Sequence, residues 1–199
     1  SNPKDVVITM DSSSSIGRQN WARIEEFAKG LVRTMPVDQD HHRVGIQMYS
    51  TEAESMIGLT DHMNKKDMTN AISFPWMTGA TNSGGAISEM GSIFSANDRS
   101  NAENVNILLS DGHSSDRAAT FAAAVAAHEA NTRMIAVGVA VTSPWDLREL
   151  RAVASDPNDD HIFLVDSYDQ LPDVTNRVVE AVCNEVDDCN PNPCGRGRC

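Results

Sequence analysis

An aspartate and two serines, Asp11, Ser13 and Ser15, alternate in the run Met10-Asp-Ser-Ser-Ser-Ser-Ile-Gly17, directly after the apolar stretch Val6-Val7-Ile8-Thr9-Met10. Residues i, i+2 and i+4 of a tight loop leaving a buried strand can converge on one point. One carboxylate with two hydroxyls suits a hard cation that keeps part of its water. The same string would also serve as a helix cap followed by a serine turn. Two further loops favour the metal. The apolar run Val105-Asn106-Ile107-Leu108-Leu109-Ser110 is followed by Asp111-Gly112-His113, and a carboxylate at the end of such a strand is poorly solvated unless it has a partner. The segment Thr78-Gly79-Ala80-Thr81-Asn82-Ser83-Gly84-Gly85 is hydroxyl-rich and enters a helix near Gly84.

Short β-branched runs alternate with helical patterns along the chain, which predicts an α/β fold. Strands are expected over 6–10, 44–49, 105–110, 134–139 and 162–165, with a short antiparallel edge strand over 55–58. Helices are expected over 20–34, 65–72, 84–94, 117–129, 144–154 and 171–182. In the first helix Trp21, Ile24, Phe27, Ala28, Leu31 and Val32 recur at helical spacing, and in the last Leu171, Val174, Val178 and Val182 do so; both should pack on the sheet. Continuous apolar strands imply a doubly wound, mostly parallel sheet with helices on both faces. Right-handed crossovers bring the carboxyl ends of such strands to one edge, so all three loops share a rim.

The 199 residues, 40% hydrophobic and 22% charged, are enough for one domain with a large core and a stub. The net charge of -12 argues against a nucleic-acid partner, which needs a basic footprint. No apolar stretch approaches the roughly 18 to 20 residues of a membrane-spanning helix, so no membrane insertion is expected. The opening Ser1-Asn2-Pro3 reads as a mature fragment or an excised piece. All four cysteines, Cys183, Cys189, Cys194 and Cys199, lie at the C-terminal end in a Pro- and Gly-rich stretch. That favours disulfides and a secreted, oxidising setting over a zinc knuckle, for which closer Cys pairs and a nearby His are wanting. His41 and His42 fall in the polar stretch 38–43 before a strand, where an exposed loop is expected and no role is assigned. His113 beside Asp111 either shapes the rim or is simply solvated.

Five ordered blocks together resemble the von Willebrand factor type A family, which includes the inserted domains of integrins. They are the strand with Asp11-x-Ser13-x-Ser15-Ile16-Gly17; Arg43-Val44-Gly45-Ile46-Gln47-Met48-Tyr49-Ser50; Gly79-Ala80-Thr81-Asn82-Ser83-Gly84-Gly85-Ala86-Ile87; Leu108-Leu109-Ser110-Asp111-Gly112; and Ile135-Ala136-Val137-Gly138-Val139. The resemblance covers 1–183. It implies a metal-ion-dependent adhesion site with Ser13 and Ser15 as hydroxyl ligands, Asp11 and Asp111 acting largely through water, and Thr81 as the switchable ligand. It further implies an open coordination position that an acidic side chain of a protein partner fills, and a last helix that slides when the partner arrives. Magnesium suits such a donor set better than calcium, and manganese should substitute. Ser14 departs from the family, where Gly is common. The short loop 141–145 leaves no room for the extra helix of collagen-binding integrin domains, so the closer relatives should be matrix-protein domains. The spacing in 184–199 resembles the start of an epidermal-growth-factor-like module, for which Cys183 is an available partner.

The implied function is an extracellular, non-enzymatic adhesion or matrix-assembly module, with collagen or another matrix protein as candidate partner. Two alternatives stand beside it. The metal could merely staple a structural spacer. Asp11 could also act as a phosphotransferase nucleophile, but a second acid is wanting at position 13 and a Lys in the rim loops. A Ser-His-Asp reading with His113 and Asp111 lacks the strained Gly-x-Ser-x-Gly turn.

Overall fold

The computed structural model describes residues 2–97 and 99–183. Six strands form one sheet: β1 (Lys4–Asp11), β2 (Arg43–Tyr49), β3 (Ala53–Ile57), β4 (Glu103–Ser110), β5 (Arg133–Val139) and β6 (Ile162–Val165). Their spatial order is β3-β2-β1-β4-β5-β6, and only β3 runs antiparallel, at one edge. The helices are α1 (Gly17–Thr34), α2 (Lys65–Ala71), α3 (Ser83–Ala96), α4 (Arg117–Glu129), α5 (Pro144–Val153), α6 (Asn158–His161) and α7 (Leu171–Cys183). The doubly wound, mostly parallel sheet expected from the sequence is therefore the observed architecture.

Successive strand residues face opposite layers, and the core divides accordingly. Val6, Ile8 and Met10 of β1 pack with α1 and α7 through Trp21, Ile24, Phe27, Leu31, Val174 and Val178. Val7 faces the other way, with Tyr49 and Leu108, against Ile87, Met90 and Phe94 of α3 and Ala124 and Ala127 of α4. Two helices start where side-chain caps dictate: Asp116 accepts from Ala119 N at 3.0 Å and Asn82 from Gly85 N at 3.0 Å. Pro144 follows the cap Ser143 at the start of α5. Gly84 lets α3 approach α4 closely, since a Cβ there would lie 2.9 Å from the backbone of Ala119 and Thr120.

Three local expectations are corrected. The first helix begins at Gly17, not at residue 20, because the serine turn closes with Ile16 N donating to Ser13 O and runs straight into it. The short α6 and a 3-10 turn at Tyr168–Gln170 carry no apolar period and were not expected. His42 is fully buried rather than exposed. Its backbone pairs with Val37, which turns the ring inward, where Nε2 lies 3.9 Å from Cys183 Sγ. His41 does stay at the surface, against Asp38. Cys183 is disulfide-bonded; the cysteine-rich segment 184–199 lies outside the described residues.

Candidate metal centre

The chain leaves β1 toward β2 and β3 and later crosses to β4 on its other side, so the loops after β1 and β4 diverge at a switch point. Asp11 ends β1 and Asp111 directly follows β4, with Met10 in register against Leu109. Asp11 is fully buried. Its Oδ1 accepts from Ser13 N at 2.9 Å, whereas Oδ2 is buried with no hydrogen-bond partner. Burial pushes this carboxyl up to about 7, against hydrogen bonds from Ser13 that lower it; the charge of Asp111 adds to the rise. From there a chain of oxygens crosses the rim. Ser13 Oγ lies 3.1 Å from Ser15 Oγ, which donates to Asp111 Oδ2 at 2.7 Å. Asp111 Oδ1 accepts from His113 N at 3.2 Å.

Hydrogen bonds fix the first loop on both sides. Ser12 donates to Tyr49 O through its N–H (2.8 Å) and its hydroxyl (2.9 Å). Ser14 N donates to Gly79 O at 3.1 Å, and Gly79 N donates back to Ser14 Oγ at 2.9 Å. The hydroxyl that departs from the family pattern thus ties the first loop to the third. Gly79 has φ +135°, and a Cβ there would fall 2.5 Å from Thr51 Oγ1, so only glycine fits. Thr81 is nearly buried, and Ser115 holds its backbone: Thr81 N donates to Ser115 Oγ at 3.0 Å and Ser115 N to Thr81 O at 2.8 Å.

Four of the five expected site residues, Asp11, Ser13, Ser15 and Asp111, are therefore joined in one hydrogen-bonded chain. Thr81 is brought to the same rim through Ser115, without a side-chain hydrogen bond to the other four. Among the described residues no three His, Cys, Asp or Glu side chains cluster to hold a metal, so an ion here leans on hydroxyls. The donors fit a small hard cation that retains water: a partnerless buried carboxylate oxygen and two hydroxyls poised beside a second carboxylate.

Several residues beneath the rim escaped the sequence reading. Tyr49 is completely buried, and its hydroxyl and that of Ser83 have no hydrogen-bond partner. Burial, and then the charge of Asp11, push the Tyr49 phenol well above its ordinary pKa. The strand alternation alone marks Tyr49 as facing α3, the same side as Asp11. Asp146 and Glu149 of α5 reach the Asp111 loop and gave no local signal. His113 is exposed, its ring 3.5 Å from Asp146.

Residues 5–177 match the family model described as the von Willebrand factor type A domain. Vitrin of Bos taurus is 30% identical over 186 residues, covering 92% of this chain and 28% of vitrin. Matrilin-4 of Homo sapiens is 32% identical over 195 residues, covering 94% of this chain and 30% of matrilin-4. The chain spans less than a third of the length of these curated relatives. Among solved structures, proximal thread matrix protein 1 of the mussel byssus, with a zinc-occupied MIDAS motif, aligns with a TM-score of 0.77 at 24% identity, covering 92% of this chain and 46% of that one. Manganese-loaded TRAP of Plasmodium vivax aligns with a TM-score of 0.72 at 17% identity, covering 89% and 74%. At these identities the solved structures show a shared fold. The matched relatives are secreted extracellular matrix proteins, which agrees with the setting expected from the sequence. No helix among the described residues is long and apolar enough to cross a membrane.

Proposed function

The chain belongs to the von Willebrand factor type A domain family, and on that premise we propose that it is a non-enzymatic adhesion or matrix-assembly module that engages an acidic side chain of a protein partner through a divalent cation, magnesium first. One observation carries this reading: Asp11 is buried with Oδ2 partnerless, at the head of a hydroxyl chain ending on Asp111. A partnerless buried carboxylate is destabilising unless a cation compensates it. Ser13 and Ser15 offer hydroxyl oxygens, Asp11 and Asp111 hold ordered water, and Thr81 supplies the oxygen whose loop rearranges. A bound cation with few direct carboxylates stays electrophilic and leaves one position for a carboxylate from outside. Manganese substitutes in the same geometry.

The site is poorly suited to turnover. Ser15 donates to Asp111 rather than to an imidazole, and His113 faces Asp146, so no hydroxyl meets an imidazole base. Arg117, which follows the Asp111 loop, is occupied by Asp146 and Glu149. From the spacing of Cys189, Cys194 and Cys199 we further propose that 184–199 begins an epidermal-growth-factor-like module.

A panel of immobilised matrix proteins, collagens included, tests the reading when probed in magnesium and then in chelator. Binding should occur only with the metal. Thr81→Ala should reduce that binding at least tenfold, about 1.4 kcal/mol, while leaving the unfolding free energy within about 0.5 kcal/mol of the parent. Full binding by the variant identifies the cation as a mere staple. Binding undiminished by chelator removes the metal from recognition.

A further inference from the structure

The loop between β4 and α4, residues 111–116, touches both halves of the rim. Near one end Asp111 accepts from Ser15 Oγ, and near the other Ser115 exchanges two hydrogen bonds with Thr81. What holds this loop comes from α5, behind it. Ser114 Oγ donates to Glu149 Oε2 at 2.7 Å, and Arg117 Nε donates to the same oxygen at 3.2 Å. Arg117 also pairs with Asp146. Gly112, at φ +83°, packs on Asp146 so closely that a Cβ would lie 3.0 Å from the Asp146 Cβ. Asp146 and Glu149 stand three residues apart on α5, so they lie on one face of the helix. Glu149 is only 2% exposed.

A carboxylate buried to that degree is destabilising unless its partners are well placed. An apolar residue would serve plain packing better. Here the partners are the middle of the Asp111 loop and the arginine that opens α4, and nothing in the apolar core needs the charge. We infer that Glu149, with Arg117 and Asp146, is the positioning group of the metal site: it clamps the 111–116 loop so that Asp111 and, through Ser115, Thr81 keep their place on the rim. This rests on the proposal that the rim holds a divalent cation. Glu149 touches neither the rim oxygens nor a partner; it acts through Ser114. Outer hydrogen-bond partners of this kind typically change metal affinity by about 10- to 100-fold when removed.

The test uses the full chain and magnesium alone, titrated by calorimetry, with amide exchange measured in chelator. Ser114→Ala removes the hydroxyl link from loop to helix while leaving the Glu149 and Arg117 pair intact. Glu149→Gln keeps an acceptor for Ser114 but removes the charge facing Arg117. Both should weaken magnesium binding about tenfold or more, and both should raise exchange at Ser115 and Thr81 without metal. The same affinity as the parent in a folded Ser114→Ala variant, with exchange at those two amides unchanged, overturns the inference and leaves the metal site standing. A lower unfolding midpoint with unchanged affinity also overturns it, since that is what a merely structural role produces. A parent chain that takes up no magnesium fails the underlying reading, and this inference with it.

Discussion

Asp11→Asn should make the metal-free protein more stable and the metal-loaded protein less responsive. The Asp11 carboxyl has its pKa at about 7 in the folded chain, against an ordinary 3.8. The folded state therefore binds more protons between those values, and metal-free stability falls as pH rises from about 4 to 7. At about 1.36 kcal/mol for each tenfold change in proton affinity, ionised Asp11 costs about 4 kcal/mol near pH 8. Asparagine removes that charge and keeps an acceptor for Ser13 N–H, which now lies 2.9 Å from Oδ1. It also sets an amide nitrogen where the partnerless Oδ2 sits, an unmade donor costing about 1 to 3 kcal/mol. The net is a gain of about 2 kcal/mol for the variant in chelator. Urea unfolding near pH 8, with chelator and then with millimolar magnesium, measures both halves. The parent should gain stability on adding magnesium, and Asp11→Asn should gain little. A variant less stable than the parent in chelator, or one stabilised equally by magnesium, refutes the reasoning.

His42 should contribute with the opposite sign. Burial, and then the charge of Lys4, lower its pKa to about 4 from 6.5, so the unfolded chain binds the proton first. Its contribution is complete above about pH 6.5 and is lost as pH falls toward 4, by about 3 kcal/mol. Urea midpoints across that window in the Asp11→Asn background, where the opposing carboxylate is gone, should show the fall, and adding His42→Gln should flatten it. Gly84→Ala should destabilise by about 1 to 3 kcal/mol, because its Cβ would meet backbone atoms that cannot yield; an unfolding free energy within about 0.5 kcal/mol of the parent would contradict the close approach of α3 to α4.

The candidate rim was legible because its residues sit at fixed offsets from strand ends, where local pattern and position coincide. Asp11, Ser13 and Ser15 follow one apolar run and Asp111 another, and parallel strands deliver both to the same edge. Elements with caps or strong periods were legible for the same reason, α4 at Arg117–Glu129 and β6 at Ile162–Val165 among them. What was missed depends on partners distant in the chain. Ser114 meets Glu149 across 35 positions and His42 meets Cys183 across 141, and no local spacing encodes either contact. The start of α1 was missed because Gly17, Arg18 and Gln19 show no apolar face, although the helix is already formed there.

The two faces of the sheet differ in polarity beneath the rim. Beneath α3, Gln47 Oε1 accepts from Thr9 Oγ1 at 2.9 Å, and Asn106 Nδ2 donates to Thr9 Oγ1 at 2.7 Å, a polar ladder across β2, β1 and β4. The same face carries Asp11 Oδ2, Tyr49 Oη, Ser83 Oγ and Gln47 Nε2, all buried and without partners. The opposite face, under α1 and α7, is packed mainly with aliphatic and aromatic side chains, with His42 Nδ1, beside Cys183 of α7, also buried without a partner. Displacing a dry face exposes apolar area at about 25 cal/mol per Å² with nothing gained in exchange. Gly84, pressed against the α4 backbone, fixes where α3 begins. Residues 79–82, which carry Thr81, are tied at every backbone N–H: Gly79 to Ser14 Oγ, Ala80 to Thr51 Oγ1, Thr81 to Ser115 Oγ and Asn82 to Ser50 O.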